Sequence, residues 1–295
     1  MNYTTVITAE QLYPHLGDEN WAILDSRYDL DQSQWGEDQY LREHIPGALY
    51  IHLDHNLSAL KTGMNGRHPL PEIEEISEYF SDLGIDDDTQ VIAYDARGGG
   101  IAARIWWMLK YMGHEAVAVL DGGFPEWKRL GLPIYSHRET RPRRSFQPRV
   151  DSNLIAITDE VLEDLSQHSN LLIDSRAPER YRGEEEPFDP IAGRIPGAVN
   201  RFWQTNLDNN GCFRDPEVLR GEFENLFGEF SPVDAIVYCG SGVTGGHNIL
   251  SMAYAGIQGS RLYAGSWSEW SSNPDRPVET GPASGEPPDV SQADD

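Results

Sequence analysis

Short apolar runs alternate with stretches of helical period along this chain of 295 residues. Ala22-Ile23-Leu24, Val91-Ile92-Ala93-Tyr94 and Ala116-Val117-Ala118-Val119-Leu120 are each bounded by turns or charges. Their length and β-branched content predict strands buried on both faces of a parallel sheet. Amphipathic helical stretches lie between them. Thr8 with Gln11 has the pattern of a capping box at the first helix. Residues 101–112, with Trp106, Trp107 and Leu109, predict a longer one. Strands alternating with helices predict an α/β fold, each sheet covered on both faces.

The pattern occurs twice. Leu24-Asp25-Ser26-Arg27 recurs as Ile173-Asp174-Ser175-Arg176, and His44-Ile45-Pro46-Gly47-Ala48 as Arg194-Ile195-Pro196-Gly197-Ala198. Val91-Ile92-Ala93-Tyr94-Asp95 recurs as Ala235-Ile236-Val237-Tyr238-Cys239. Asp121-Gly122-Gly123 followed by Glu126-Trp127 recurs as Ala264-Gly265-Ser266 followed by Glu269-Trp270. The order is kept, and the spacing is too long for a solenoid repeat. A duplicated domain is expected: residues 1–135, a linker over 136–153, then residues 154–280. The linker holds Arg138, Arg141, Arg143, Arg144, Arg149, Pro142 and Pro148, and is expected to lie extended along acidic domain surface. Residues 281–295 are rich in Pro, Gly, Ser and Asp and are expected to be a disordered acidic tail.

Composition narrows the function. A formal net charge of −25 repels nucleic acid and anionic membranes, so neither is expected as a partner. Any anion site must then be built locally from Arg and main-chain N–H groups. No apolar run is long enough to span a bilayer. Residues 1–16 lack the basic start and apolar core of a signal peptide, which makes the cytoplasm the expected location. The two cysteines, Cys212 and Cys239, form no Cys-x-x-Cys motif, and zincin and phosphate-loop spacings are missing. No metal or organic cofactor is expected.

Candidate chemistry concentrates after the strand ending at Tyr238. Cys239-Gly240-Ser241-Gly242-Val243-Thr244-Gly245 follows at once, and a helical pattern resumes through His247, Ile249, Leu250 and Met252. The carboxyl end of a strand in an open α/β sheet is where ligands bind. Glycines let main-chain N–H groups converge on one point, and the next helix aims its positive end there. A thiol so held is expected to ionise below its free value of about 8.5 and to act as a nucleophile. Gly240, Gly242, Val243 and Thr244 are candidate substrate-binding positions, and Ser241 adds a hydroxyl. Cys212 lacks such a setting and is expected to be structural. The first half keeps the loop, as Asp95-Ala96-Arg97-Gly98-Gly99-Gly100, with a carboxylate in place of the thiol.

On these motifs, together with Gly66-Arg67-His68-Pro69-Leu70-Pro71 and Gly265-Ser266-Trp267-Ser268-Glu269-Trp270, the chain resembles the tandem-domain rhodanese family from about residue 8 to residue 277. The resemblance implies two rhodanese-like domains, the second catalytic and the first inactive. It implies a sulfurtransferase carrying sulfur as a persulfide on Cys239. A loop reading Cys-Gly-Ser-Gly-Val-Thr resembles the 3-mercaptopyruvate class rather than the thiosulfate class. The absence of a cation between Cys239 and Gly246 favours a donor with one carboxylate over a compact dianion.

The same resemblance implies Arg182 as the arginine that orients the donor carboxylate, Ser241 as the hydroxyl polarising the substrate, and His44 as a proton relay at the domain interface. The implied partners are a small-molecule sulfur donor and a thiol, cyanide or small redox-protein acceptor. Three departures from the family pattern stand out: Gly245 for Ala, Ala264 for Asp, and no clear second substrate arginine, for which Arg194 is the candidate. The alternatives are thiosulfate:cyanide transfer and a non-catalytic rhodanese-like binding module. A phosphatase on a related fold would need an Arg where Gly245 stands.

Overall fold

The computed structural model describes residues 2–282. Residues 283–295 of the expected tail lie outside the described residues. The first domain runs β1 (Val6–Ile7), α1 (Ala9–Leu12), β2 (Trp21–Asp25), α2 (Trp35–Arg42), β3 (Ala48–Tyr50), α3 (Ile73–Asp82), β4 (Gln90–Tyr94), α4 (Ala102–Tyr111), β5 (Val117–Leu120) and α5 (Gly123–Arg129). The second repeats the scheme: β6 (Ile155–Ala156), α6 (Thr158–Gln167), β7 (Leu171–Asp174), α7 (Pro178–Arg182), β8 (Val199–Asn200), α8 (Pro216–Phe227), β9 (Ala235–Tyr238), α9 (Gly245–Tyr254), β10 (Arg261–Tyr263) and α10 (Ser266–Trp270). The strand orders, β1-β5-β4-β2-β3 and β6-β10-β9-β7-β8, are the same, and the strands of each sheet pair in parallel. These are two tandem α/β domains of the same topology, as the repeat implied.

The local rules operate as expected. Thr8 accepts from Gln11 N, and the Gln11 side chain caps Thr8 N in return, closing the capping box. Residues 101–112 form α4 within one residue at each end. The Asp-Ser-Arg motifs are structural in both copies. Asp25 pairs with Arg27 at 2.6 Å and Asp174 with Arg176 at 2.6 Å, all four buried at strand ends. Each arginine then reaches a distant carbonyl, Glu43 O or Gly193 O, at 2.6 Å. Such pairs fix the chain's exit from the strand just beside the loop that follows β4 or β9.

One apolar cluster runs through both domains. Trp106, Trp107 and Leu109 of α4 belong to it, as do Ile249, Leu250 and Met252 of α9. Separate clusters around Trp127 and around Trp267 and Trp270 cover the other face of each sheet. The linker arginines lie along the first domain: Arg138 pairs with Glu37, Arg143 with Glu78 and Asp82, Arg144 with Asp86 and Arg149 with Asp87. Exposed pairs of this kind are individually weak, because solvent and salt screen them. Among the described residues no helix is long and apolar enough to cross a membrane.

Candidate active site

Tyr238 ends β9, and Cys239, 1% exposed, begins a loop that closes into α9 at Gly245. Gly242 sits at φ +75°, and a Cβ there would lie 2.0 Å from Ala264 O. Only glycine fits that turn. The loop turns its carbonyls outward. Trp267 N donates to Cys239 O at 3.0 Å and Ser268 N to Gly240 O at 2.8 Å. Arg104 Nη1 donates to Gly242 O at 2.9 Å, and His247 N to Thr244 O at 3.1 Å. With carbonyls held out, N–H groups face the sulfur. Burial by itself would push the Cys239 thiol up. The Thr244 hydroxyl, the N–H groups of Ser241 and Gly245 and the Ser266 hydroxyl outweigh it and hold the thiol below its ordinary value.

Cys239 lies in the wall of a cavity of about 330 Å³ between the domains. Gly240, Ser241, Val243 and Thr244 line it with the thiol, and Gly242 turns the loop behind them. His68 and Arg67 enter from the first domain. His68 Nδ1 lies 2.7 Å from Ser241 Oγ, and its Nε2 faces Asp54 Oδ1 at 3.4 Å. Burial, helped by the nearby Arg104 and Arg67, pushes His68 down to about 4, so the ring is neutral at pH 7. The negative Asp54 assigns the ring proton to Nε2, leaving Nδ1 to accept the Ser241 O–H. Asp54, which also accepts from the Tyr28 hydroxyl, is held well below the usual carboxylate range, chiefly by His68. Asp54, His68 and Ser241 form a relay that ends in the cavity.

Two guanidinium groups converge at Gly240. A Cβ there would lie 2.9 Å from Arg67 Nη2 and 3.2 Å from Arg180 Nη1. Asp189 ties them across the domain boundary: Arg67 Nε donates to it at 2.8 Å and Arg180 Nη2 at 3.4 Å. Glu186 takes the remaining side of Arg180, at 2.6 Å. The cations missing from the loop itself are therefore supplied by other segments. The lack of a cation within the loop therefore does not by itself disfavour a dianionic donor.

Arg182 is not brought to this cavity. It pairs with Glu184 at 2.7 Å, and Arg180 lines the cavity in its stead. Residues two apart on α7 face different directions, so only one arginine of Arg180-Tyr181-Arg182 can point at the loop. His44 is not brought there either. It is fully buried in the first domain, its Nδ1 lies 2.6 Å from Tyr40 O, and its main chain bridges Tyr135. Arg194, its counterpart, fastens the segment at Glu279 and Gly281 and does not line the cavity.

Arg67, His68, Asp54 and Arg180 were missed as site residues, although a signal existed. Asn65-Gly66 and Pro71-Glu72 recur as Asn210-Gly211 and Pro216-Glu217, with Arg67-His68 replaced by Cys212-Phe213 between them. A segment that changes between copies as Asp95 changes to Cys239 marks the partner of the loop. Among the described residues no cluster of His, Cys, Asp and Glu could hold a metal ion.

Residues 8–130 and 158–273 match the Rhodanese-like domain family. The chain belongs to the rhodanese family. A Pseudomonas aeruginosa relative named "Probable 3-mercaptopyruvate sulfurtransferase" is 41% identical over 284 residues, 95% of this chain and 100% of that one. The thiosulfate sulfurtransferase of Cricetulus griseus is 32% identical over 253 residues, 84% of each chain. The crystal structure of SseA from Escherichia coli, a 3-mercaptopyruvate sulfotransferase, superposes with a TM-score of 0.76 at 30% identity, covering 90% of this chain and 100% of that one. As a rhodanese sulfurtransferase the chain is an enzyme, which sets aside the reading as a non-catalytic module. Donor preference separates the relatives from one another.

Proposed function

We propose that this sulfurtransferase takes sulfur from 3-mercaptopyruvate and passes it to a thiol or cyanide through a persulfide on Cys239. The observation that carries the choice of donor is the 2.7 Å contact between Ser241 Oγ and His68 Nδ1 beside the thiol. A 2-oxo acid needs a hydroxyl at its carbonyl, and thiosulfate does not. The Cys239 thiolate attacks the donor sulfur, so an S–S bond forms as the C–S bond breaks. The C–S electron pair goes to carbon and gives the enolate of pyruvate. The Ser241 hydroxyl, which rests on His68 Nδ1, turns its one proton toward the enolate oxygen as the charge there grows. The persulfide proton moves to the enolate carbon, so pyruvate leaves and an anionic persulfide stays in the loop.

Arg180 and Arg67 suit the donor carboxylate. Arg180 Nη1 makes no hydrogen bond among the described residues and stands beside Gly240, which supports a role in place of Arg182. A second nucleophile, a small thiol, a reduced redox protein or cyanide, then attacks the outer sulfur and frees the Cys239 thiolate. The kinetics are ping-pong. A reducing cytoplasm suits an enzyme whose two cysteines are both free thiols.

The two arginines at Gly240 favour thiosulfate as the second reading, since a dianion gains from both. One experiment separates the donors. Cys239→Ser abolishes transfer from either. Ser241→Ala lowers kcat/KM with mercaptopyruvate by about tenfold or more and leaves thiosulfate turnover unchanged. A Ser241→Ala enzyme that loses both activities equally, or neither, overturns the choice of mercaptopyruvate.

A further inference from the structure

Arg104 lies on α4 of the first domain and is 1% exposed. Its guanidinium spans the two halves of the site. Nη1 donates to Gly242 O, in the sulfur loop, at 2.9 Å. Nη2 donates to His68 O at 2.9 Å and to Leu57 O at 2.7 Å. One rigid fork thus holds an outward carbonyl of the loop and the segment that carries the imidazole of Ser241's relay.

The charges around Cys239 set Arg104 apart. Arg67 has Asp189, Arg180 has Glu186 and Asp189, Arg176 has Asp174, and Arg97 has Asp29. His68, neutral, faces Asp54. Arg104 forms no ion pair with a carboxylate among the described residues; its polar partners are main-chain carbonyls. Burial lowers it to about 10, and the charge that opposes this is that of Cys239. It is therefore a cation at neutral pH. A buried cation paired with neutral dipoles alone is costly, and an anion in the same low-dielectric region offsets that cost. The sulfur loop supplies one, first as thiolate and then as persulfide. The charge in the loop stays at one negative unit through the transfer.

We propose that Arg104 is a positioning residue for sulfur transfer: it holds the Gly242 and His68 carbonyls and supplies the positive charge that balances the Cys239 thiolate and its persulfide. The domain without a thiol is then an electrostatic component of the active site. This deepens the reading above and rests on Cys239 being the sulfur carrier.

Two variants separate charge from tethering. Arg104→Gln keeps amide donors and removes the charge. Arg104→Lys keeps the charge and loses the fork. The probe is iodoacetamide, with alkylation of the Cys239 peptide followed by mass spectrometry across pH, and near-UV circular dichroism reporting the fold. Arg104→Gln raises the alkylation midpoint by about one pH unit. Arg104→Lys keeps the midpoint and lowers kcat about tenfold, with donor KM unchanged. A folded Arg104→Gln protein with the wild-type midpoint overturns the charge role. Wild-type kcat in Arg104→Lys overturns the positioning role, and that variant decides the matter if Arg104→Gln does not fold. Alkylation needs no donor, so a wild-type Cys239 inert at neutral pH would instead sink the functional reading.

Discussion

In the first domain the loop after β4 wraps a carboxylate; in the second the loop after β9 wraps a sulfur. Asp95 Oδ1 accepts from Arg97 N at 2.7 Å and Gly99 N at 3.0 Å, and Oδ2 accepts from Ile101 N at 2.7 Å and Ala102 N at 3.0 Å. Cys239 meets the N–H groups of Ser241 and Gly245 and the hydroxyls of Thr244 and Ser266. Both loops are anion cradles built from main-chain dipoles at a strand end. The first is filled permanently by its own side chain, and no incoming sulfur can displace it. The second holds an atom that can both ionise and form a bond.

The facing segments differ in step. Arg67 N donates to Ser268 Oγ at 3.0 Å, and in the other copy Phe213 N donates to Asp121 Oδ1 at 2.8 Å. Each domain thus reaches over its neighbour's loop. Arg67 and His68 arrive at the thiol, whereas Cys212 and Phe213 arrive at the carboxylate side, where Phe213 stacks on His247. Burial and the nearby Asp121, Glu126 and Asp208 push the Cys212 thiol up to about 12, so it stays protonated and unreactive at neutral pH. One cradle gained chemistry from its facing segment, and the other gained packing.

The largest test of this comparison moves the thiol. Asp95→Cys in a Cys239→Ser background puts a sulfhydryl into the first cradle without Ser241, His68 or the arginines. The expected protein accepts iodoacetamide at residue 95 and transfers no sulfur from mercaptopyruvate. Transfer at the wild-type rate would show that the cradle alone suffices. Next in size is Asp95→Ala, which leaves main-chain donors buried and unpaired. It is expected to lower unfolding free energy by about 1–3 kcal/mol in denaturant titration. A neutral result would mean that the first cradle does not need its anion.

The comparison also explains how much could be seen without a structure. The strands, α4 and the capping box follow from periods and motifs spanning about ten residues, and the duplication from the recurrence of such motifs in the same order. Cys239 stands out because its counterpart is Asp95. His68 and Ser241 are 173 residues apart and meet through the packing of one domain on the other, α4 against α9 included. No periodicity within either domain encodes that meeting. Arg180 and Arg182 precede the same turn, and only the helix phase of α7 decides that Arg180 is the one lining the cavity. His44 precedes an Ile-Pro-Gly-Ala turn that both copies share, while its own place is taken by Arg194 in the second, so the motif speaks for folding before chemistry.

Histidine protonation sharpens the comparison at the domain boundary. His247 Nε2 lies 3.0 Å from Gly98 O in the carboxylate loop, and burial pushes the ring down to about 4. His68, also near 4, contacts the sulfur loop. Unfolded histidines bind protons below about 6.5, whereas these two do not until about 4. Their contribution to stability is complete above that upper value and is lost as pH falls from about 6.5 to 4. His247→Gln is expected to flatten the acid limb of the stability profile, measured by urea unfolding at a series of pH values. An unchanged limb would contradict the burial of that ring. The smallest expected effect is Arg143→Ala in the linker, a loss within the error of a denaturant titration and absent at high salt. A larger loss would make the linker pairs a structural element of the first domain.

The most direct measurement of the central claim is mass spectrometry of the purified enzyme after brief exposure to mercaptopyruvate without an acceptor. The account requires the mass of one added sulfur atom on the Cys239 peptide, removed by cyanide, with Cys212 and the Asp95 loop unmodified. An unmodified Cys239 peptide, while pyruvate is nonetheless released, would contradict it.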